Sequence, residues 1–155
     1  MAVQPKPDKK TAMVNIFTYG SLMFDRVWSL VVDGNYRKKG AVLTGYDRKG
    51  VKGEVYPAIY PSSPHSRVKG IVYMDVTEAD LAKLDIFEGE CYFRKSEKVI
   101  TENNRTISAE IYVLKEEYYP IMSNLEWNAA KFEKIDIHHF LADYIGFSDN
   151  TKRVH

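Results

Sequence analysis

Two short segments hold residue types from which a reaction could be built. The first is Phe17-Thr18-Tyr19-Gly20-Ser21-Leu22, where an apolar, β-branched run passes straight into a Gly-Ser turn. Glycine permits backbone angles that other residues avoid, and consecutive N–H groups after it can converge on one anion or carbonyl oxygen. An ordinary strand-to-helix turn has the same composition. The second segment is Leu84 to Arg94, LDIFEGECYFR, which concentrates three carboxylates, two Phe, a Tyr and an Arg. A glutamate between Phe87 and Gly89 can sit in an apolar wall and have its pKa raised toward neutrality, as a general acid/base requires. The plain alternative is that Asp85, Glu88 and Glu90 are solvated helix-end charges, with Arg94 pairing one of them.

Other reactive residue types are poorly placed. His138 and His139 are adjacent, so on a helix they do not face one another and cannot chelate together, while His65 sits in a Pro/Ser loop and His155 is terminal. No metal site is therefore expected. Cys91, the single cysteine, lies beside aromatics and reads as small core filler; it leaves no partner for a disulfide and no cysteine cluster for zinc. A G-x-S-x-G elbow, a phosphate loop and a dinucleotide fingerprint are all missing.

These residues need elements to position them. Met13–Thr18 reads as a strand ending at Gly20. Asp25 is expected to cap a short helix with Val27, Leu30 and Val31 on its apolar face, ended by Asp33-Gly34-Asn35. Strands are expected over Tyr36–Tyr46, over Val55–Tyr60 (an edge or bulge because of Pro57) and over Val68–Val76, with Asp47–Gly53 as a Gly- and charge-rich turn. Thr77 should cap a short helix carrying Leu81 and Leu84. Tyr92–Thr101 and Thr106–Leu114 flank the turn-like tetrad Glu102-Asn103-Asn104-Arg105 and form a hairpin. Past Pro120 the period turns helical: one helix over Leu125–Phe132, and a second capped by Asp136 and running to Ile145, with Ile137, Phe140, Leu141 and Tyr144 on one stripe. With Trp127, these helices are expected to pack on the sheet rather than cover a pocket.

Many strands with hairpin signals and few short helices imply an α+β domain: a small, mostly antiparallel β-barrel with peripheral short helices, closed because closure removes exposed strand edges. Residues 1–12 read as a flexible N-terminal tail, 13–148 as one domain and 149–155 as a C-terminal tail. In 155 residues, 22 Lys and Arg balance 21 Asp and Glu for a formal net charge of +1, which argues against a nucleic-acid partner. The apolar runs fall far short of the ~20 residues that cross a bilayer, so no membrane partner is expected. With no export signal in the first residues and one unpaired thiol, a cytoplasmic location is expected. Tyrosine is over-used, 11 against 7 Phe and 2 Trp, and suits half-buried strands and pocket walls.

Tyr19-Gly20-Ser21-Leu22 after an N-terminal strand, and Leu84-Asp85-x-Phe87-Glu88-Gly89-x-x-Tyr92-x-Arg94 about 65 residues later, together resemble the gamma-glutamylcyclotransferase-like family, which includes gamma-glutamylamine cyclotransferases and plant avirulence-induced-type proteins. Tyr56-Pro57-Ala58-Ile59 and Val68-x-Gly70-x-Val72-Tyr73 are similar to its middle section, and the likeness spans about Ile16 to Leu114. It implies a small β-barrel, Glu88 as acid/base, backbone amides of Gly20, Ser21 and Leu22 holding the glutamyl carboxylate or carbonyl, and Tyr19 and Tyr92 lining the same cavity. The implied reaction closes a γ-glutamyl amide or γ-glutamyl-amino acid into 5-oxoproline and releases an amine, with no cofactor. A non-catalytic module holding a small acidic metabolite on the same barrel is the alternative.

Overall fold

The computed structural model describes residues 13–144. The two expected tails, 1–12 and 149–155, lie outside the described residues. Five strands close a barrel in the order β1 (Met13–Thr18), β5 (Arg67–Thr77), β2 (Lys38–Thr44), β6 (Tyr92–Thr101), β7 (Thr106–Leu114), while β3 (Tyr46–Gly50) and β4 (Pro57–Pro61) form a separate two-stranded sheet. All pairings are antiparallel except the seam, where β1 meets β7 in parallel at Ile16 and Glu110. The α+β barrel expected from the strand count is thus the observed architecture.

Alternation along the strands explains why both faces of the wall are covered. Phe17, Val72, Ile111 and Val113 belong with Leu43, Val68 and Val99 to the cluster that fills the barrel. Their neighbours Ile16, Tyr73 and Tyr112 point the other way, into a second cluster with Val27, Trp28, Leu84 and Phe132 from the helices. Period-two side chains thereby serve two cores from one sheet. Asn15 pins an irregularity in this wall: its side chain accepts from the Asp75 N–H at 3.1 Å and donates to the Ser108 carbonyl at 3.0 Å, where β1 and β5 slip register and Asp75 adopts φ 57°.

Helix α1 (Asp25–Val31) differs from expectation at its cap and its face. Phe24, with no side-chain bond, is the N-cap, and Asp25 lies inside the first turn, where it pairs with Lys38 at 2.6 Å. Trp28 takes the buried position expected for Leu30, which is 47% exposed. Helix α2 (Glu78–Glu88) runs from the expected Thr77 cap, whose hydroxyl accepts from the Asp80 N–H, to Gly89. The buried Asp80 carboxylate in turn receives the N–H groups of Asp33 and Gly34 and the Tyr36 hydroxyl, tying the end of α1 to the start of α2.

Three sequence readings are corrected. Tyr36–Tyr46 is not one strand, because Gly45 at φ 88° separates β2 from β3. Asp47–Gly50 lies in β3 rather than in a turn, paired against β4 with Gly50 opposite Pro57; the reversal falls at 51–56, and Pro57 opens its strand, where a missing N–H is tolerated. Leu125–Asn128 is not helical, and Asp136 caps nothing. A single helix, α3, opens at Ala129–Lys131 under an Asn128 cap, passes through a π-helical turn at Phe132–Asp136 and continues to 144. The extra residue in that turn keeps Phe132, Ile137 and Leu141 on the buried face.

Gly70 marks the closest approach of the barrel wall. A Cβ there would sit 2.0 Å from the Thr18 carbonyl oxygen and 2.7 Å from the Phe17 ring. Gly70→Ala is therefore expected to lower the urea midpoint by the equivalent of about 3 kcal/mol or more, the cost of strain in a packed core, and equilibrium unfolding followed by circular dichroism measures it.

Candidate functional site

The Tyr19–Leu22 turn leaves β1 at the open end of the barrel, and its carbonyls are all engaged. Arg48 donates to the Tyr19 oxygen at 2.8 Å, the Met23 N–H to Gly20 at 3.0 Å, the Phe24 N–H to Ser21 at 3.2 Å, and the Tyr73 hydroxyl to Leu22 at 3.0 Å. Tyr73 is itself held by stacking on Trp28, the ring centroids 3.6 Å apart. With every carbonyl fixed, the peptide planes are fixed. The N–H groups of Gly20, Ser21 and Leu22 have no acceptor among the described residues. Gly20 is required for space: a Cβ there would come within 2.7 Å of the Pro57 ring.

Glu88 is the last residue of α2, which stops because Gly89 turns to φ 79°. It faces the same cavity as the turn, a space of about 760 Å³ into which Tyr19, Gly20, Ser21, Leu22, Glu88 and Tyr92 all open. The six residues expected to form a site from two distant segments are thus brought together. The residue is only half-buried because the cavity is open on one side, and no group among the described residues donates to its carboxyl. Burial first, and the Asp85 carboxylate one turn earlier second, push the Glu88 pKa up to about 8.

Tyrosines surround this carboxyl. Burial and the nearby Glu88 hold Tyr19 and Tyr92 well above the ordinary phenol range, so both stay neutral. Tyr19 donates to the Tyr112 carbonyl at 2.7 Å and Tyr92 to the Pro57 carbonyl at 3.3 Å. Tyr112 donates to Asp85 at 2.7 Å, which also binds Arg94 at 2.9 Å, and Arg94 reaches Glu110 at 2.6 Å. The plain alternative thus holds for Asp85 and for Arg94 as its partner, and Glu90 is exposed, but it fails for Glu88.

Phe87 stands in the apolar wall beside Glu88 as expected. Other lining residues were not assigned to the cavity from the sequence: Tyr56 and Tyr112 complete the aromatic wall, and Phe140, Asp143 and Tyr144 of α3 form its far side. The expectation that the C-terminal region only packs on the barrel is therefore corrected: α3 both buries Phe132 and lines the cavity. Trp127 does pack, against Phe132 and under Arg48, with its indole N–H donating to the Val55 carbonyl at 2.8 Å. Cys91 is half-buried against the small cluster of Val51, Ala58 and Leu114. No cluster of three or more potential metal ligands occurs among the described residues, and no helix there is long and apolar enough to cross a membrane.

Comparison with known proteins places this geometry among relatives. Residues 16–129 match the family described as gamma-glutamyl cyclotransferase, AIG2-like. Protein AIG2 C of Arabidopsis thaliana is 31% identical over 131 residues, covering 84% of this chain and 78% of its own. The solution structure of another Arabidopsis thaliana protein is 27% identical, covers 98% of this chain and 88% of that one, and superposes with a TM-score of 0.66. A solved gamma-glutamyl cyclotransferase shares the fold, with a TM-score of 0.57 and 21% identity over 66% of each chain.

The raised Glu88 pKa has a signed effect on stability. Between its ordinary value near 4.5 and its folded value of about 8, the folded state holds a proton the unfolded state has lost. The stabilisation is full below about 4.5 and is lost as pH rises through about 8. Glu88→Gln removes that dependence. Thermal melts should show little difference from the unsubstituted protein at pH 4.5, and a variant more stable by a few degrees at pH 9.

Proposed function

The chain belongs to the gamma-glutamyl cyclotransferase, AIG2-like family, and on that premise we propose that it converts a γ-glutamyl amide or γ-glutamyl-amino acid into 5-oxoproline and a free amine. The observation that carries the reading is the Glu88 carboxyl, with its pKa at about 8, facing the same cavity as three unengaged backbone N–H groups.

A γ-glutamyl amide brings its own nucleophile, the α-amine, tethered at five-membered-ring distance from the γ-carbonyl. The protein need supply only position, a proton acceptor and stabilisation of the oxyanion. The α-ammonium of a γ-glutamyl compound lies beside its own carboxylate, which raises it above the about 7.7–8.0 of a peptide α-amino group; as acceptor of its proton, a Glu88 carboxyl at about 8 is a far closer match to it than an ordinary carboxylate. That matching is what general base catalysis favours. The amine then attacks the γ-carbonyl carbon, and the carbonyl oxygen takes up negative charge toward the N–H groups of Gly20, Ser21 and Leu22. As the tetrahedral centre collapses, the C–N bond to the leaving group breaks. Glu88 gives its proton to the departing nitrogen and takes up the second proton of the attacking nitrogen, which becomes the lactam N–H; that proton then leaves with the product amine as an ammonium or passes to solvent. Atoms and charge balance without a cofactor. Tyr19 and Tyr92, kept neutral, bound the glutamyl portion while the aromatic wall receives the leaving group.

Purified protein incubated with γ-glutamyl-amino acids, γ-glutamyl-ε-lysine and glutathione should release 5-oxoproline from at least one, and Glu88→Gln should remove turnover with the fold intact. kcat/KM should rise with pH on a limb centred at about 8, because the reactive complex carries one proton fewer than the resting pair. Thermal stabilisation by γ-glutamyl compounds with no product from any of them would favour the binding module instead. Asp85→Asn removes the neighbouring like charge and should move the acid limb to lower pH. A limb unmoved by that change would contradict the assigned cause.

A further inference from the structure

Arg48 takes no part in the chemistry assigned so far, yet it is a half-buried guanidinium with no carboxylate within ion-pair distance among the described residues. Glu126, the nearest candidate, pairs with Lys49 instead. A buried cation without a counter-charge costs free energy unless its donors are satisfied. Arg48 satisfies one nitrogen, Nη1, on two backbone oxygens: the Tyr19 carbonyl at 2.8 Å and the Lys69 carbonyl at 3.1 Å. The face of Trp127, 5.2 Å from the guanidinium carbon, offsets part of the remaining cost.

Its choice of carbonyl matters. The Tyr19 oxygen and the Gly20 N–H are opposite ends of one planar peptide, so fixing the first aims the second. A cation on the oxygen also withdraws charge from the amide and makes its N–H the stronger donor. The other turn carbonyls receive neutral donors only. Tyr73 meets the Leu22 carbonyl, whose peptide partner, the Met23 N–H, is already spent on Gly20. Positive charge is thus applied at one peptide of the turn, and that peptide's N–H belongs to a cavity-lining residue with no acceptor of its own.

We propose that Arg48 is a positioning residue that orients and polarises the Tyr19–Gly20 peptide, making the Gly20 N–H the principal donor to the oxyanion or carboxylate held at the turn. This rests on the reaction proposed above. It also assigns a purpose to Trp127 as the surface on which the guanidinium is held.

The test uses the full chain, uniformly labelled with 15N and 13C, with Arg48→Met and Arg48→Lys. R48M should lower kcat about 10- to 100-fold, less than the ~100- to 1,000-fold of deleting an oxyanion donor outright. KM should change by less than about threefold, and the pH limb attributed to Glu88 should stay in place. R48K, which keeps a charge on the Tyr19 oxygen, should recover most of the loss; a packing role for the planar guanidinium would not be rescued in this way. Independently of turnover, R48M should shift the Tyr19 carbonyl and Gly20 amide resonances, and 5-oxoproline added as a probe should perturb the Gly20 amide strongly in the unsubstituted protein and weakly in R48M. If R48M does not fold, Arg48→Gln carries the same comparisons without the charge. A kcat within twofold of the unsubstituted protein, or a Gly20 amide that responds equally to 5-oxoproline with and without Arg48, overturns the proposal. Absence of 5-oxoproline formation by the unsubstituted protein overturns the reaction instead, and the resonance comparison then decides whether Arg48 sets the Gly20 donor.

Discussion

Removing one carboxyl from bulk water constrains much of this molecule. Glu88 ends α2 with no donor to its carboxyl among the described residues, and the negative Asp85 lies one turn earlier. A charge there is costly, so the side chain keeps its proton up to about pH 8. Its surroundings hold that condition: neutral Tyr19, Tyr92 and Tyr112, the aromatic wall of Phe87 and Phe140, and a barrel end that leaves one open side. Tyr112 connects the two halves of the site, its carbonyl receiving Tyr19 and its hydroxyl binding Asp85. The turn and the end of α2 are therefore referenced to the same residue of β7.

The turn opposite Glu88 follows a complementary rule. Main-chain oxygens are satisfied within the protein and main-chain N–H groups are left over. Four donors serve the carbonyls of Tyr19 to Leu22: Arg48 from β3, Tyr73 from β5, and the Met23 and Phe24 N–H groups at the end of the turn itself. Such a turn meets negative charge without reorganising, which is the condition under which backbone dipoles stabilise a developing oxyanion.

Much of the scaffold could be read from residue order because its signals are local. β1 stops where Gly20 follows, Thr77 caps α2 with its own hydroxyl, and the β6–β7 hairpin closes over the polar tetrad 102–105. Readings failed where tertiary packing outweighed local pattern. The charges of Asp47, Arg48 and Lys49 suggest a turn, yet they occupy a strand in which Arg48 binds the Tyr19 and Lys69 carbonyls and Lys49 pairs with Glu126. Asp136 looks like a cap, but the helix runs through it on a π turn that keeps Phe132 buried. The Tyr19–Leu22 turn and the Glu88 segment were legible as motifs. Arg48, Tyr112 and the α3 residues were not, since nothing in their own neighbourhoods shows that the fold brings them to the cavity.

The central claim is that the Glu88 carboxyl is protonated at neutral pH in the folded protein. Direct titration of its side-chain carboxyl carbon by 13C NMR, assigned by comparison with the Glu88→Gln variant, tests this without any substrate. A midpoint at about 8 is the predicted result. A midpoint in the ordinary glutamate range, near 4.5, would contradict it.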